Sequence, residues 1–159
     1  MRDISFKTED GHFNYRVGCV LTDGKRLLVM RDEGTEGYYL PGGRVHFGER
    51  AEDAAVREMQ EELGIAVRPL RLLWVKEGFF TMFSNGRRCH EIALYFLLDF
   101  SESDLLSRGD SFDREDEGVL HHFSWVPIAS LSDMEFYPLF LKETMRALPE
   151  HPTFVTEDC

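Results

Sequence analysis

Residues 43–65 read GRVHFGERAEDAAVREMQEELGI, and the period of this stretch decides the fold. Ala55, Met59 and Leu63 recur every four positions, the spacing of an apolar helix stripe, which predicts a helix over residues 51–63. Glu49, Glu52 and Asp53 put negative charge at its start, where the helix dipole is positive, and Gly64 suits a left-handed end. Glu58, Glu61 and Glu62 are three and four positions apart and line a second face beside the apolar stripe. Ala54 and Ala51 lie one and two turns earlier near the same line, leaving space above it. Three carboxylates this close repel one another, so they either stay solvated or gather cations. Oxygen donors without Cys or His select hard ions such as Mg²⁺ or Mn²⁺. Gly42 and Gly43 permit close backbone approach just upstream, where a bare carbonyl can complete a metal shell. Glutamates on a helix are by themselves more often a solvated face, so the spacing of the neighbouring residues carries the weight.

Working outward, Phe13–Leu21 reads as a strand, Asp23-Gly24 as a hairpin turn and Arg26–Arg31 as a second, largely buried strand. Tyr38-Tyr39-Leu40 runs into the turn Pro41-Gly42-Gly43. Beyond the helix, Val67–Phe80 and Glu91–Phe100 are strand-like, with Ser84-Asn85-Gly86 as the turn between them. Residues 101–118 form a polar segment with seven acids and two arginines, expected to be a loop. His121–Val126 reads as a short strand and Tyr137–Leu148 as a closing helix. Strands with two unequal helical segments and no linker predict one α+β domain over residues 1–159.

The chain has 159 residues, with 18 Lys plus Arg against 29 Asp plus Glu, a formal charge of −11. That balance excludes a general binder of long nucleic acid or of an anionic membrane surface. The charge is not evenly spread: residues 49–62 carry −4, residues 101–118 carry −5, and the remainder only −2. The longest apolar run, Ile92–Leu98, has seven residues, where a membrane span needs about 20. The amino terminus lacks the apolar core of a signal peptide. Cys19, Cys89 and Cys159 are odd in number and widely spaced, which predicts free thiols and a cytoplasmic setting.

From Gly43, five residues lead to Glu49 and seven more to Arg57-Glu58, followed by Met59, one residue, Glu61-Glu62, one residue, then Gly64-Ile65. This resembles the box of the MutT-like Nudix hydrolases at every defined position, and average residue frequencies put a chance match on the order of one in ten million. The likeness extends to Pro41-Gly42 before the box and Trp125-Val126-Pro127 near the end. One departure is Arg50, which stands where many relatives have a capping Ser or Thr.

The resemblance implies the α+β Nudix fold, a mixed β-sheet sandwiched between α-helices. It also implies hydrolysis of a diphosphate linkage in a nucleoside diphosphate joined to another moiety. Carried over by motif position, Glu58, Glu61 and Glu62 hold Mg²⁺, with Mn²⁺ as a substitute and the Gly42 carbonyl as a further ligand. Arg57 orients the carboxylates, Glu49 supports them, and Glu58 is the first choice of general base. Some relatives take the base from a later loop, which makes Glu115 and Glu117 candidates beside their plain reading as solvated residues.

For substrate binding, Arg31 is a candidate phosphate contact, and Tyr39, Phe79 and Phe80 are candidates to stack a base, although strand aromatics are more often core. Glu91 reads as a sheet-end residue. His121-His122 is discounted as a metal pair, because adjacent strand residues face opposite ways.

The features that accompany ADP-ribose, dinucleoside polyphosphate and coenzyme A hydrolysis in the family are absent, so a nucleoside triphosphate is slightly preferred. ADP-ribose, sugar nucleotides and dinucleoside polyphosphates remain alternatives. A non-hydrolytic nucleotide-sensing domain and a plain acidic interaction domain are alternatives of other classes; the first usually lacks box carboxylates, all of which are present here. The family also makes a homodimer plausible.

Overall fold

A computed structural model describes all 159 residues. In chain order the elements are β1 (Ser5–Lys7), β2 (His12–Val20), β3 (Arg26–Asp32), β4 (Tyr38–Tyr39), β5 (Gly42–Arg44), α1 (Ala51–Leu63), β6 (Arg68–Thr81), β7 (Arg88–Asp99), β8 (Ser111–Asp116), β9 (Val119–Pro127), β10 (Phe136–Tyr137), α2 (Leu141–Thr144) and β11 (Thr153–Asp158). The larger sheet runs β1-β2-β7-β6-β11, with β5 added to β2. The smaller runs β10-β4-β3-β9-β8. Pairing is mixed: β2 lies parallel to β7 and β11 parallel to β6, whereas β6 and β7 form a long antiparallel hairpin.

Period-two alternation splits the apolar residues between two cores. From β7, Phe96 and Leu98 join Val17, Cys19, Met30 and the helix residues Ala54, Ala55, Met59 and Leu63. Ala93 and Tyr95 face the other way, toward Trp74, Leu131, Phe136, Leu141 and Met145. Helix α1 therefore covers one side, and α2 with the 3-10 turn Ile128–Asp133 covers the other. No helix is long and apolar enough to cross a membrane.

Three expectations change here. The closing helix shrinks to the single turn Leu141–Thr144, because only Leu141 and Met145 share one buried face while Leu139 is exposed. Thr153–Asp158, not anticipated as a strand, pairs with β6 along its whole length. Residues 101–118 are not a loop throughout: Leu105–Arg108 forms a 3-10 turn and Ser111–Asp116 forms β8, paired with β9.

That acidic segment also completes α1. Arg50 adopts an extended conformation and provides no side-chain cap. At the other end Gly64 takes the left-handed conformation (φ 65°), and its N–H bonds the Gln60 carbonyl. The Leu63 carbonyl then accepts from Arg108 Nη1 at 2.8 Å and Arg114 Nη1 at 3.1 Å. The helix has no basic residue in its own last turn, so these two cations oppose its negative pole from outside.

Candidate active site

Arg57 organises the exposed face of α1. Its Nε and Nη2 grip the two Glu49 oxygens at 2.7 and 3.0 Å, a bidentate fork. Nη1 reaches Glu58 Oε1 at 2.8 Å and Glu61 Oε2 at 3.2 Å, and Nη2 also donates to the Arg44 carbonyl. The hydrogen bonds from Arg57 hold the Glu49 carboxyl below its ordinary range, against the effect of burial. Burial pushes Glu58 up, with Arg57 opposing. Gly43 makes room for it: a Cβ there would lie 2.2 Å from Glu58 Oε1.

Glu62 is in a different state. Its one hydrogen bond comes from the Gly42 N–H at 3.2 Å. Burial and the neighbouring Glu58 push its carboxyl up to about 8. Asp116 adds to this shift, so the inward-facing alternation of β8 (Phe112, Arg114, Asp116) brings Asp116 toward the helix carboxylates. Glu115 points outward with Asp113, and Glu117 is exposed in the turn at φ 49°. Asp116, turned inward by the period of the strand, thus joins Glu115 and Glu117 as a candidate.

No three His, Cys, Asp or Glu side chains converge as a ready-made metal cage. The donor chemistry nevertheless fits a divalent ion. The face offers carboxylate oxygens only, Glu58 and Glu61 share one guanidinium nitrogen, and Glu62 is a carboxyl whose ionised form its surroundings penalise. A cation relieves that penalty. Gly42 is tied to the same group through its amide.

A cavity of about 530 Å³ opens on the side of the larger sheet to which Tyr95 points; no α1 residue lines it, and its link to the helix carboxylates is Arg16, whose charge feels Glu62 and Glu58. Gly18, the pairing partner of Gly42, lines it together with Leu40, Tyr39 and Phe80. Tyr39 donates its hydroxyl to Asp32 Oδ1 at 2.6 Å, and the same oxygen lies 2.5 Å from His121 Nδ1. With its hydroxyl committed, Tyr39 has its ring left to offer a ligand. Phe79 faces away and packs on His90 with ring centroids 4.4 Å apart. Arg31 is not among the lining residues; its guanidinium stacks over Tyr38 at 5.5 Å. His121 and His122 turn to Asp32 and Asp113 on opposite sides, as strand alternation requires.

The lining cations are instead Arg16 and Lys76, which the sequence reading missed; Arg16 is the one that feels the helix carboxylates. Burial opposes its charge, but the carboxylates of Glu91, Glu62 and Glu58 outweigh that effect. Its signal was the single arginine of the strand, at the same parity as Gly18. Glu91 also departs from expectation: it is 6% exposed, within β7, and lines the cavity.

A NUDIX domain model matches residues 12–148. The chain belongs to the Nudix family. Members of this family generally use divalent metals such as Mg²⁺. The chain is 34% identical over 100 residues to the ADP-ribose pyrophosphatase of Methanocaldococcus jannaschii, covering 62% of this chain and 57% of that protein. It is 47% identical over 45 residues to a putative 8-oxo-dGTP diphosphatase of Bacillus subtilis, covering 28% and 30%. The chain thus spans about half the length of the first relative and under a third of the second. Among solved structures, the MutT protein from Methanosarcina mazei Go1 superposes with a TM-score of 0.61 at 20% identity, over 86% of this chain and 92% of that one, a likeness of fold.

Proposed function

We propose that this Nudix protein is a Mg²⁺-dependent pyrophosphohydrolase that cleaves a diphosphate linkage in a nucleotide-type substrate, with a nucleoside triphosphate preferred over ADP-ribose, sugar nucleotides or dinucleoside polyphosphates. The observation that carries this reading is Glu62, a half-buried carboxyl beside Glu58 with a single amide partner, on a helix face whose charge reaches Arg16 of the aromatic cavity. The relatives named for ADP-ribose and for 8-oxo-dGTP both support an anhydride substrate. We take residues 1–159 as one domain, acting in the cytoplasm and compatible with a homodimer.

Glu58, Glu61 and Glu62 would hold the ion, with Gly42 beside them and Mn²⁺ able to substitute. When bound, the ion lowers the pKa of a coordinated water and neutralises diphosphate oxygens. Arg57 fixes where Glu58 and Glu61 point. Glu58 takes the proton of the attacking water, and of the later acids we assign the supporting role to Asp116, whose charge bears on Glu62. Arg16 faces the substrate with a positive charge from outside the acidic helix, whose own Arg57 is committed to its carboxylates. Tyr39 and Phe80 supply aromatic walls for a base.

The decisive test is a product assay. Purified protein with Mg²⁺ is offered nucleoside triphosphates, ADP-ribose, sugar nucleotides and dinucleoside polyphosphates, and the products are separated by chromatography. Release of a nucleoside monophosphate and pyrophosphate from a triphosphate is expected. Metal-dependent binding with no turnover of any compound would favour a sensing domain.

The metal assignment has its own signature. Below about pH 8 Glu62 keeps a proton that the ion must displace. The rise in melting temperature given by saturating Mg²⁺ is therefore expected to be larger at pH 9 than at pH 6.5. Equal rises at both pH values would count against Glu62 as a ligand.

A further inference from the structure

Lys76 of β6 and Glu91 of β7 are 5% and 6% exposed, yet both line the cavity that holds Arg16, Tyr39 and Phe80. Lys76 Nζ stands 3.6 Å from Glu91 Oε1, too far for a hydrogen bond, and no other protein group bonds either head. A buried ion pair without further hydrogen bonds is weak support for a fold, since desolvation of both charges offsets their attraction. Apolar side chains of similar size would serve stability as well.

The sheet is nevertheless shaped around this pair. Glu91 stands opposite Gly78 in the β6–β7 register. The Lys76 side chain folds along its own strand across Gly78 to reach it: a Cβ at Gly78 would lie 2.8 Å from Lys76 Cε and 3.0 Å from Nζ. Ala93, small and adjacent to both Arg16 and Lys76 in register, separates the two cations across three strands. Their backbones are thus about 10 Å apart, two strand spacings. Arg16 lies within the field of the helix carboxylates and of Glu91, and Lys76 occupies the far side of the same floor.

The two heads ask for opposite things. The ammonium only donates and the carboxylate only accepts, through two oxygens. A ligand that satisfies both presents a carbonyl oxygen beside two adjacent N–H donors. Guanine has that row on one edge: O6, N1–H and the 2-amino group. Adenine places an acceptor where guanine has N1–H. Uracil and cytosine each offer one ring or amino donor position on that edge, and hypoxanthine lacks the 2-amino group.

We infer that Lys76 and Glu91 are specificity-determining residues that read the base of the substrate and select guanine, an inference that rests on the nucleotide-substrate reading above. Lys76 donates to O6, and the two Glu91 oxygens accept from N1–H and the 2-amino group. The aromatic walls hold the ring plane, and Gly78 keeps the ammonium in reach.

The test uses nucleoside monophosphates, whose binding needs no turnover. Calorimetry on the full chain is expected to rank GMP first, IMP roughly tenfold weaker for the loss of one hydrogen bond to a charged group, and AMP weaker again. Glu91→Gln is expected to erase the advantage of GMP over IMP. Lys76→Met weakens GMP and IMP together, because both carry O6. Gly78→Ala weakens GMP while leaving both charges in place, which keeps the test informative if Lys76→Met does not fold. A merely structural pair would lower melting temperature without changing these ratios.

Equal affinity for GMP and AMP, a preference for AMP or UMP, no binding of any monophosphate, or an unaltered GMP to IMP ratio in Glu91→Gln would overturn the inference. The two readings fail separately. Selective GMP binding with no hydrolysis of any anhydride would remove the enzyme reading and leave the base reading standing. Hydrolysis without base preference would do the reverse.

Discussion

Glu62→Gln is expected to lower turnover by about two to three orders of magnitude, the scale of losing one preorganised electrostatic group, while raising the melting temperature of the metal-free protein at alkaline pH. The second effect follows from the environment of the carboxyl. Burial and Glu58 push it up to about 8, from an ordinary value near 4.5. A carboxyl raised in the folded state contributes stability that is present below its unfolded value and is lost as pH rises through about 8. At pH 9 the wild-type fold therefore bears the cost of an ionised Glu62, which glutamine does not carry. For a chain of this size each kcal/mol relieved shifts the midpoint by roughly 2–4 °C. Saturating Mg²⁺ is expected to stabilise the wild type and not the variant, so the gap between them narrows or reverses. Glu61→Gln separates the two effects. Its side chain is 51% exposed, so activity is lost with no gain in metal-free stability. Near-normal turnover in Glu62→Gln, or a lower melting temperature than wild type in chelator at pH 9, would remove Glu62 from the metal site.

What could be read from the chain beforehand follows the range of the interactions involved. Helix α1 was legible because its stripe, its acidic start and its terminal glycine are local, and Ala55, Met59 and Leu63 are buried as their spacing requires. The β6–β7 hairpin was legible for the same reason, with turn and alternation in one continuous stretch. Strand β11 was not, because its edge position depends on β6, more than 70 residues earlier. Residues 101–118 looked like a solvated loop because acids dominate the count. Their arginines, however, cap a helix distant in sequence, and alternation in β8 turns Asp116 inward in place of Glu115.

Arg31 and Arg16 make the same point. Both are arginines flanking apolar residues in strands, and only the neighbouring strands decide which one meets the cavity. Ala54 sits on the carboxylate line of the wheel but is wholly buried in the core, so the space expected above that line is closed there and opens instead beyond Gly18 and Tyr39.

Arg57→Lys is expected to fail on two counts, because what Arg57 supplies is geometry as much as charge. One guanidinium serves both oxygens of Glu49, one of Glu58, one of Glu61 and the Arg44 carbonyl. An ammonium cannot reproduce the planar fork to Glu49 while also reaching Glu58. Activity should fall by about 10–100-fold, the usual effect of removing a group that orients metal ligands. Stability should fall by about 2 kcal/mol, less than for a fully buried pair because Arg57 is 22% exposed, and it falls because the Glu49 side chain, 9% exposed, is left with a poorer partner.

The pH dependence has a definite sign. Arg57 holds the Glu49 carboxyl below its ordinary value, so its stabilisation is present above the unfolded value and is lost as pH falls. The difference in melting temperature between wild type and Arg57→Lys should be largest at neutral pH and shrink in acid. Pairing Arg57→Met with Glu49→Gln should cost less stability than the two single changes summed, since the second removes the charge the first abandons. It should restore no activity, because Glu58 and Glu61 still lack their shared donor. Wild-type turnover in Arg57→Lys, or strict additivity in the double variant, would show that the network does not position the helix carboxylates.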